Sequence, residues 1–96
     1  MSIFDRFENI GHPPSGEEFL KFERIENPRS RRPDLHAFLL LDELFPQDRD
    51  MVCNASHDEI YLDVTDDEVA TLTDEQILEL VRCGVRYDGD GLCMFA

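Results

Sequence analysis

Residues 57–80 contain two hydrophobic periods in succession, and this change of period constrains the fold more than any other feature of the chain. The first part alternates strictly, with Ile60, Leu62 and Val64 on one side. Alternation of this kind is typical of a strand with one buried face, so we expect these three side chains in the core. The residues expected to be more exposed are Glu59, Tyr61 and Asp63.

The second part of this segment has helical spacing and begins with two capping boxes. Residues 65–68 (TDDE) and 73–76 (TDEQ) both follow the S/T-x-x-E/Q pattern. In that pattern the hydroxyl and the acid or amide side chain bind two backbone amides that have no partner inside the helix. After the second box, Ile77, Leu80 and Val81 recur at helical spacing. The segment therefore predicts a strand, a short helix and a longer helix.

Two further helices are predicted near the N-terminus. Ser2 is suited to cap a first helix over residues 3–10, with Gly11 as the C′ residue that ends it. Residues 15–18 (SGEE) form a third capping box. This box predicts a helix over residues 17–25.

The most apolar helix is predicted over residues 33–45. Proline and aspartate at its start suit a first helical turn, and Pro46 ends it. Its apolar side chains lie most of the way round the helix. We therefore expect this helix to be buried and central.

The C-terminal part predicts short strands. Residues 51–54 predict a strand, residues 55–58 a hairpin loop, and residues 85–87 and 92–95 two more strands. Residues 88–91 (DGDG) are a turn signal, because glycine adopts positive φ without steric cost. The last two strands should therefore form a hairpin.

Together these elements predict a single α+β domain. N-terminal helices are followed by an antiparallel meander of about four short strands, with two capped helices inserted and the helices packed on one face. The domain comprises an N-terminal segment (1–32), the buried helix (33–45) and an acidic β-rich part (51–96). The N-terminal segment ends in a basic loop at residues 29–32.

Composition indicates a folded protein of a reducing compartment. Leucine, isoleucine, valine and phenylalanine make up 28 of the 96 residues, above the share of about 20% below which charged chains stay disordered. No apolar run approaches the length of about 18 residues that a membrane helix needs, and the N-terminus lacks the pattern of a secretion signal. Three cysteines without a C-x-x-C pair do not suggest a disulfide framework, so we expect a cytoplasmic protein.

Negative charge is concentrated in the C-terminal part of the chain. The net charge is −13. Residues 1–36 contain six basic and seven acidic side chains, whereas residues 42–96 contain three basic and fifteen acidic ones. The acidic character therefore belongs to the β-rich part.

No residue pattern predicts catalysis, a cofactor or a metal site. An EF-hand loop beginning at Asp88 would need oxygen ligands at positions held here by leucine and methionine. His57, Glu59 and Asp63 share one strand face, but alternate side chains lie about 6.6 Å apart, too far for one ion without other ligands. Cys83, at a helix C-terminus, lacks the surroundings of a reactive thiolate. We therefore expect a non-enzymatic protein without a cofactor or metal.

Residues 29–32 (RSRR) are the only basic cluster in the sequence. Three arginines could bind phosphate or an acidic partner. The net charge of −13 repels nucleic acid at long range, so direct nucleic-acid binding is not expected. A solvated loop, or arginines that fold back onto acidic residues, stays open as the alternative.

The acids of residues 42–96 predict a surface that binds a basic protein. Duplex DNA displays one negative charge per about 1.7 Å of axis, so a domain about 30 Å across needs about 18 charges to match it. The fifteen acids of this part approach that number if most of them face one way. The predicted partner-binding residues are Glu59, Asp63, Asp66, Asp67, Asp74, Glu75 and Glu79.

Three functions remain open, of which an acidic metal-dependent hydrolase is the least favoured. The first is an acidic binding protein that inhibits a basic, nucleic-acid-handling protein, as a DNA mimic does. The second is a structural or accessory protein that assembles with itself or another chain through apolar surface. In that case the acids serve solubility, since acids in first helical turns are ordinary capping choices. One continuous acidic face favours the first function; scattered acids with an exposed phenylalanine and leucine patch favour the second.

Three segments of residues 33–96 carry a resemblance to a known group of proteins. They are PDLHAFLLLDELFP, HDEIYLDV, and RCGVRYD with the closing CMFA. In this combination the chain resembles short acidic proteins that bacteriophages and prophages encode and whose chemistry is unassigned. The resemblance implies a small cytosolic accessory protein without a cofactor, and it supplies no catalytic residues.

Overall fold

The alternating segment forms the second strand of a four-stranded antiparallel sheet in the computed structural model of the protein, which describes residues 2–56, 58–89 and 91–95. The strands are β1 (Val52–Ser56), β2 (Glu59–Leu62), β3 (Arg86–Tyr87) and β4 (Leu92–Phe95). The helices are α1 (Ile3–Gly11), α2 (Pro33–Leu44), α3 (Asp66–Ala70) and α4 (Asp74–Arg82). The predicted α+β class is confirmed, with α3 and α4 inserted between β2 and β3. None of these helices is long and apolar enough to cross a membrane.

The order of the strands differs from the predicted meander. The sheet runs β1-β2-β4-β3, so β4 lies beside β2 and β3 forms an edge. Leu92, Cys93 and Met94 are all buried, so both faces of β4 are covered, as is typical of a strand inside a sheet. The hairpin of β3 and β4 forms as predicted, with the Asp88 amide donating to the Gly91 carbonyl at 3.3 Å. Asp90, in its turn, lies outside the described residues.

The hairpin of β1 and β2 is tighter than predicted. Ala55 and Ser56, predicted to lie in the loop, pair with Ile60 and Glu59. The strand β1 therefore extends to Ser56 and β2 begins at Glu59, while His57 lies outside the described residues.

One face of the sheet packs against the helices. Leu62 and Met94 belong to the same hydrophobic core as buried side chains of all four helices. Leu62 and Val64 are buried as predicted, whereas Ile60 is only partly buried. Ile60 lies opposite Ala55 of the edge strand, which is small and exposed and covers little of its side chain. The residues expected to be more exposed are half-buried: Glu59, Tyr61 and Asp63.

Both capping boxes predicted ahead of α3 and α4 are present. The Thr65 hydroxyl accepts from the Glu68 amide at 3.2 Å, and the Glu68 carboxylate accepts from the Thr65 amide at 3.0 Å. Thr73 and Gln76 repeat this exchange at 3.1 and 2.8 Å. Because these bonds are local, the residues that make them determine where each helix begins.

The first helix begins at the predicted cap but ends differently. Ser2 Oγ accepts from the Asp5 amide at 3.1 Å. The predicted role of Gly11 is wrong: it is the last helical residue, and His12 is the C-cap. A Cβ at Gly11 would lie 3.2 Å from Cγ1 of Val81. Glycine is therefore suited to this position because it allows the close approach of α1 and α4.

The helix predicted over residues 17–25 is wrong. This range contains a short 3₁₀ turn at Phe22–Arg24 in place of the predicted α-helix. Leu20 adopts a left-handed conformation, with φ of 65°, and its amide donates to the carbonyl of Val81 at 3.2 Å. A hydrogen bond to α4 thus replaces the one that a local helix would make at this amide, and the capping box at residues 15–18 does not start a helix.

The predicted apolar helix is present as α2, but its central position is wrong. The buried residues of α2 are His36, Ala37, Leu40 and Leu41. On the other side, Leu35 and Leu39 are 43% and 41% exposed. The helix therefore lies at the periphery of the core. The core covers one side of α2, and the apolar residues on its other side remain exposed.

Candidate functional site

The face of the sheet that points away from the helices carries a cluster of polar and aromatic side chains. Directly opposite residues in paired strands lie on the same face. The register pairs Glu59 with Phe95, Tyr61 with Cys93, and Arg86 with Cys93. We call the surface formed by these five residues the outer sheet face.

Arg86 is the cation of the outer sheet face. Its Nη2 lies 2.6 Å from Oε1 of Glu59, and its guanidinium carbon lies 4.7 Å from the centroid of the Phe95 ring. Arginine is suited to this place because its planar guanidinium binds a carboxylate and stacks on an aromatic ring. One side chain thereby links β2, β3 and β4. Phe95 nevertheless remains 56% exposed.

Hydrogen bonding and burial keep two other titratable groups of this face neutral. The Tyr61 hydroxyl donates to Oδ2 of Asp88 at 2.8 Å, and this bond raises the pKa of Tyr61 to about 12. Burial raises the pKa of the Cys93 thiol to about 11. Because the thiolate is the nucleophilic form, Cys93 is poorly suited to nucleophilic catalysis.

Three side chains around this face could contribute ligands to a metal ion. Atoms of Glu59, Asp88 and Cys93 lie within 4.8 Å of one another. Two of these groups already have partners, because Glu59 pairs with Arg86 and Asp88 accepts from Tyr61. The raised pKa of Cys93 also disfavours the thiolate that a metal binds. These three side chains are therefore poorly suited to bind a metal ion, and the guanidinium of Arg86 is the positive group that pairs with Glu59.

Replacing Asp88 with asparagine should lower the pKa of Tyr61 from about 12 toward its ordinary value of 10.0, because the charged acceptor favours the neutral phenol. Since folding raises this pKa, the hydrogen bond stabilises the fold fully below pH 10, and this stabilisation is lost as the pH rises through about 12. Base titration of tyrosinate absorbance measures the change, with Tyr61→Phe to identify the signal. An unchanged titration in Asp88→Asn would contradict the contact.

Four of the seven predicted partner-binding carboxylates face basic side chains of the chain itself. The pairs are Glu59 with Arg86 (2.6 Å), Asp63 with Arg49 (2.6 Å), Asp74 with Arg6 (3.0 Å) and Glu79 with His36 (3.3 Å). Three of these carboxylates, those of Glu59, Asp63 and Glu79, are only partly exposed. Where the cation is an arginine, the pair reduces the negative charge that a partner would meet.

The other three predicted residues lie in the first turns of α3 and α4 and are exposed. They are Asp66, Asp67 and Glu75. Asp66 accepts a hydrogen bond from the Tyr87 hydroxyl at 3.0 Å. Asp67 and Glu75 form no ion pair with any described residue. The seven predicted residues are thus distributed over β2, the residue that follows it, α3 and α4.

An open cavity lies between the 3₁₀ turn and α4, apart from the outer sheet face. This open cavity of about 390 Å³ is lined in part by Arg24, Arg82, Glu75 and Glu79. Both arginines donate to Glu18, at 2.9 and 3.1 Å, and these bonds hold the pKa of Glu18 below its ordinary value. Because a carboxylate already binds both arginines, the cavity is poorly suited to an anionic ligand.

The basic loop at residues 29–32 is attached to α2. Arg29 forms an ion pair with Glu43, and its backbone amide donates to Nδ1 of His36 at 2.9 Å. Arg31 and Arg32 are exposed. The loop therefore combines the two alternatives left open by the sequence: one arginine folds back onto an acidic residue, and two are solvated.

Sequence reasoning missed Arg86, Asp88 and Phe95 as members of a functional surface. The alternation of residues 92–95 could have placed Phe95 on the outer face, since Leu92 and Met94 point into the core. The position of Arg86 could not be found in this way. It depends on the pairing of β3 with β4, which follows from the order of the strands.

Comparison with family models, with curated proteins and with solved structures finds no match for this chain. The resemblance of residues 33–96 to phage-encoded proteins therefore stays a prediction. The chemistry of the surface is the basis for assigning a function.

Proposed function

We propose that the protein is a non-enzymatic binding protein that holds a basic protein partner through its excess of carboxylates. One observation carries this proposal. Six of the nine lysine and arginine side chains form ion pairs within the described residues, and these pairs occupy five of the 22 carboxylates. The chain therefore cannot neutralise its own charge, and a basic partner supplies the missing counter-charge.

Proteins that handle nucleic acids are the proposed class of partner, because their surfaces attract phosphate. Inhibition of such a protein by a mimic of duplex DNA is the narrowest form of the proposal. The protein extends 38 × 30 × 28 Å, and a duplex of that greatest length carries about 22 charges. The chain has 22 carboxylates in all, some of them paired internally, so a basic protein surface smaller than a whole DNA site is the better match.

The cytoplasm of a bacterial host is the proposed place of this encounter. The three cysteines are free thiols, as a reducing compartment keeps them. A phage-encoded inhibitor meets host proteins in the same compartment, so this location agrees with the resemblance of residues 33–96.

Reversing exposed acids of the C-terminal part should weaken capture of the partner. The test uses pull-downs from a bacterial lysate with two double variants. One carries Asp67→Lys and Glu75→Lys, and the control, of equal charge change, carries Glu8→Lys and Glu23→Lys. At low salt the first double variant should recover about tenfold less of the partner, because attraction by many charges steers the encounter. Capture by the wild type should also fall as salt rises, since salt shortens the range of exposed charges from about 10 Å to about 3 Å.

The control separates a local surface from net charge alone. All four positions are exposed, so neither variant should disturb the core. Equal losses in both variants would mean that net charge alone attracts the partner. Recovery of the same proteins by wild type and both variants, at low and high salt, would contradict the proposal.

A second candidate function is assembly through apolar surface, and one observation favours it. Leu35 and Leu39 lie one helical turn apart on α2 and are 43% and 41% exposed. Sedimentation of the wild type separates the candidates, because assembly through α2 requires an oligomer that persists at high salt. A monomer at all concentrations would contradict self-assembly through α2.

A further inference from the structure

The strand β1 forms one edge of the sheet without a charged residue, and one of its amides, that of Ala55, donates to Oδ1 of Asn54 at 2.9 Å. All five residues of β1 are exposed, and the strand, Val52–Ser56, contains no charged residue and no proline. Edge strands usually carry such residues because their unpaired amides and carbonyls bind other strands. The pairing of β1 with β2 shifts its register between Val52 and Asn54. The opposite edge differs: β3 has two residues, and Tyr87 is buried and packs near Phe7 of α1.

Carboxylates lie at both ends of this neutral strand. Asp48 and Asp50 precede β1, Asp58 follows it, and all three are exposed. None of the three forms an ion pair with a described residue. A second copy added antiparallel to β1 would bring these acids of one chain against those of the other, which is unfavourable. A basic segment meets opposite charge at both ends instead.

A cavity beside β1 has the chemistry of a site for a basic side chain. It measures about 290 Å³ and is lined by Ser56, Asp58, Glu59, Tyr61 and Phe95. Carboxylates next to an exposed aromatic ring suit a lysine or arginine side chain, by charge and by cation–π attraction. Because Arg86 already pairs with Glu59 and contacts the Phe95 ring, Asp58 is the carboxylate of this cavity that receives the cation of a partner.

We propose that β1 accepts an extended basic segment of the partner protein as an additional strand, with one lysine or arginine of that segment in the cavity formed by Asp58, Glu59 and Phe95. This inference rests on the proposed function and deepens it, because it names the segment that binds and the residues that receive it. Main-chain hydrogen bonds to β1 hold the strand, and alternate side chains lie over the outer sheet face. The cavity then selects a basic residue at one position.

The test uses a synthetic peptide of alternating arginine and valine, about as long as β1, and amide chemical shifts of the isotope-labelled protein. The changes should concentrate at Val52–Ser56, Asp58 and Phe95. Two N-methylated forms of the peptide, each blocking the amides of one edge, keep every charge. One form should bind about tenfold more weakly and the other should bind as before, because only one edge of the peptide can pair with β1.

Charge variants test the cavity. Asp58→Lys should weaken binding of the peptide about tenfold, and Phe95→Leu should weaken it about fivefold through loss of the aromatic ring. The matched control is Glu8→Lys, which reverses an exposed acid of α1. This control should change binding less than about threefold.

The outcomes separate this inference from the proposed function. Equal binding of all three peptides, with shift changes in α3 and α4, would overturn the strand site and leave the binding of a basic partner standing. Failure of every peptide to bind at low salt would overturn both. Shift changes at Val52–Ser56 on concentrating the protein alone, together with a dimer in sedimentation, would assign the edge to a second copy and overturn the inference.

Discussion

Replacing Leu62 with alanine should lower the free energy of unfolding by about 2–5 kcal/mol, the range for a truncated core leucine. Leu62 is 2% exposed and belongs to the hydrophobic core shared by the sheet and the helices. Its loss leaves a cavity that the surrounding side chains fill only in part. Urea denaturation, analysed as a two-state transition, measures the change.

The matched control is the same substitution at an exposed leucine. Leu39 of α2 is 41% exposed, and alanine is at least as good a helix former, so Leu39→Ala should cost less than about 1 kcal/mol. If Leu62→Ala is no more destabilising than Leu39→Ala, the assigned register of β2 is incorrect. A shift of β2 by one residue would turn Leu62 to the outer sheet face.

Elements whose signals are local could be predicted from the sequence. The capping boxes of α3 and α4 form from residues three positions apart, so no other part of the chain is needed to place those helix starts. The alternation of β2 is similarly local and identified Leu62 as a core residue. The turn between β3 and β4 was predicted because glycine satisfies it without help from distant residues.

Elements that depend on distant contacts could not be predicted. A capping box is present at residues 15–18, yet the amide of Leu20 donates to Val81, 61 positions away in the chain. The order of the strands has the same origin, because β4 pairs with β2 across an insertion of two helices. Neither pairing leaves a local pattern.

The candidate site shows the same limit. The sequence identified where acids are abundant, but it does not show which of these acids are paired with a cation in the folded protein. Glu59 pairs with Arg86 and Asp74 pairs with Arg6, and both pairs join elements far apart in the chain. The cavity beside β1 was missed because Asp58 and Phe95 meet only once β2 and β4 are neighbours.

Replacing His36 with alanine should lower the free energy of unfolding by about 3 kcal/mol. His36 is fully buried, and its Nδ1 accepts from the Arg29 amide at 2.9 Å. Its ring also packs edge-on against Phe22, with centroids 5.8 Å apart. Alanine would remove both contacts, leaving a cavity and a part-buried amide without its acceptor, and the two costs add. Urea denaturation measures the sum.

Two further variants divide that sum into packing and hydrogen bonding. His36→Leu fills the volume but offers no acceptor, whereas His36→Asn offers an acceptor near the position of Nδ1 but fills less space. The exchange of the Arg29 amide with solvent reports on the bond directly. It should be slow in wild type and His36→Asn and fast in His36→Leu, because only an accepting side chain closes the loop at residues 29–32 onto α2. Slow exchange in His36→Leu would mean that the loop is held by the ion pair of Arg29 with Glu43, and that His36 contributes packing alone.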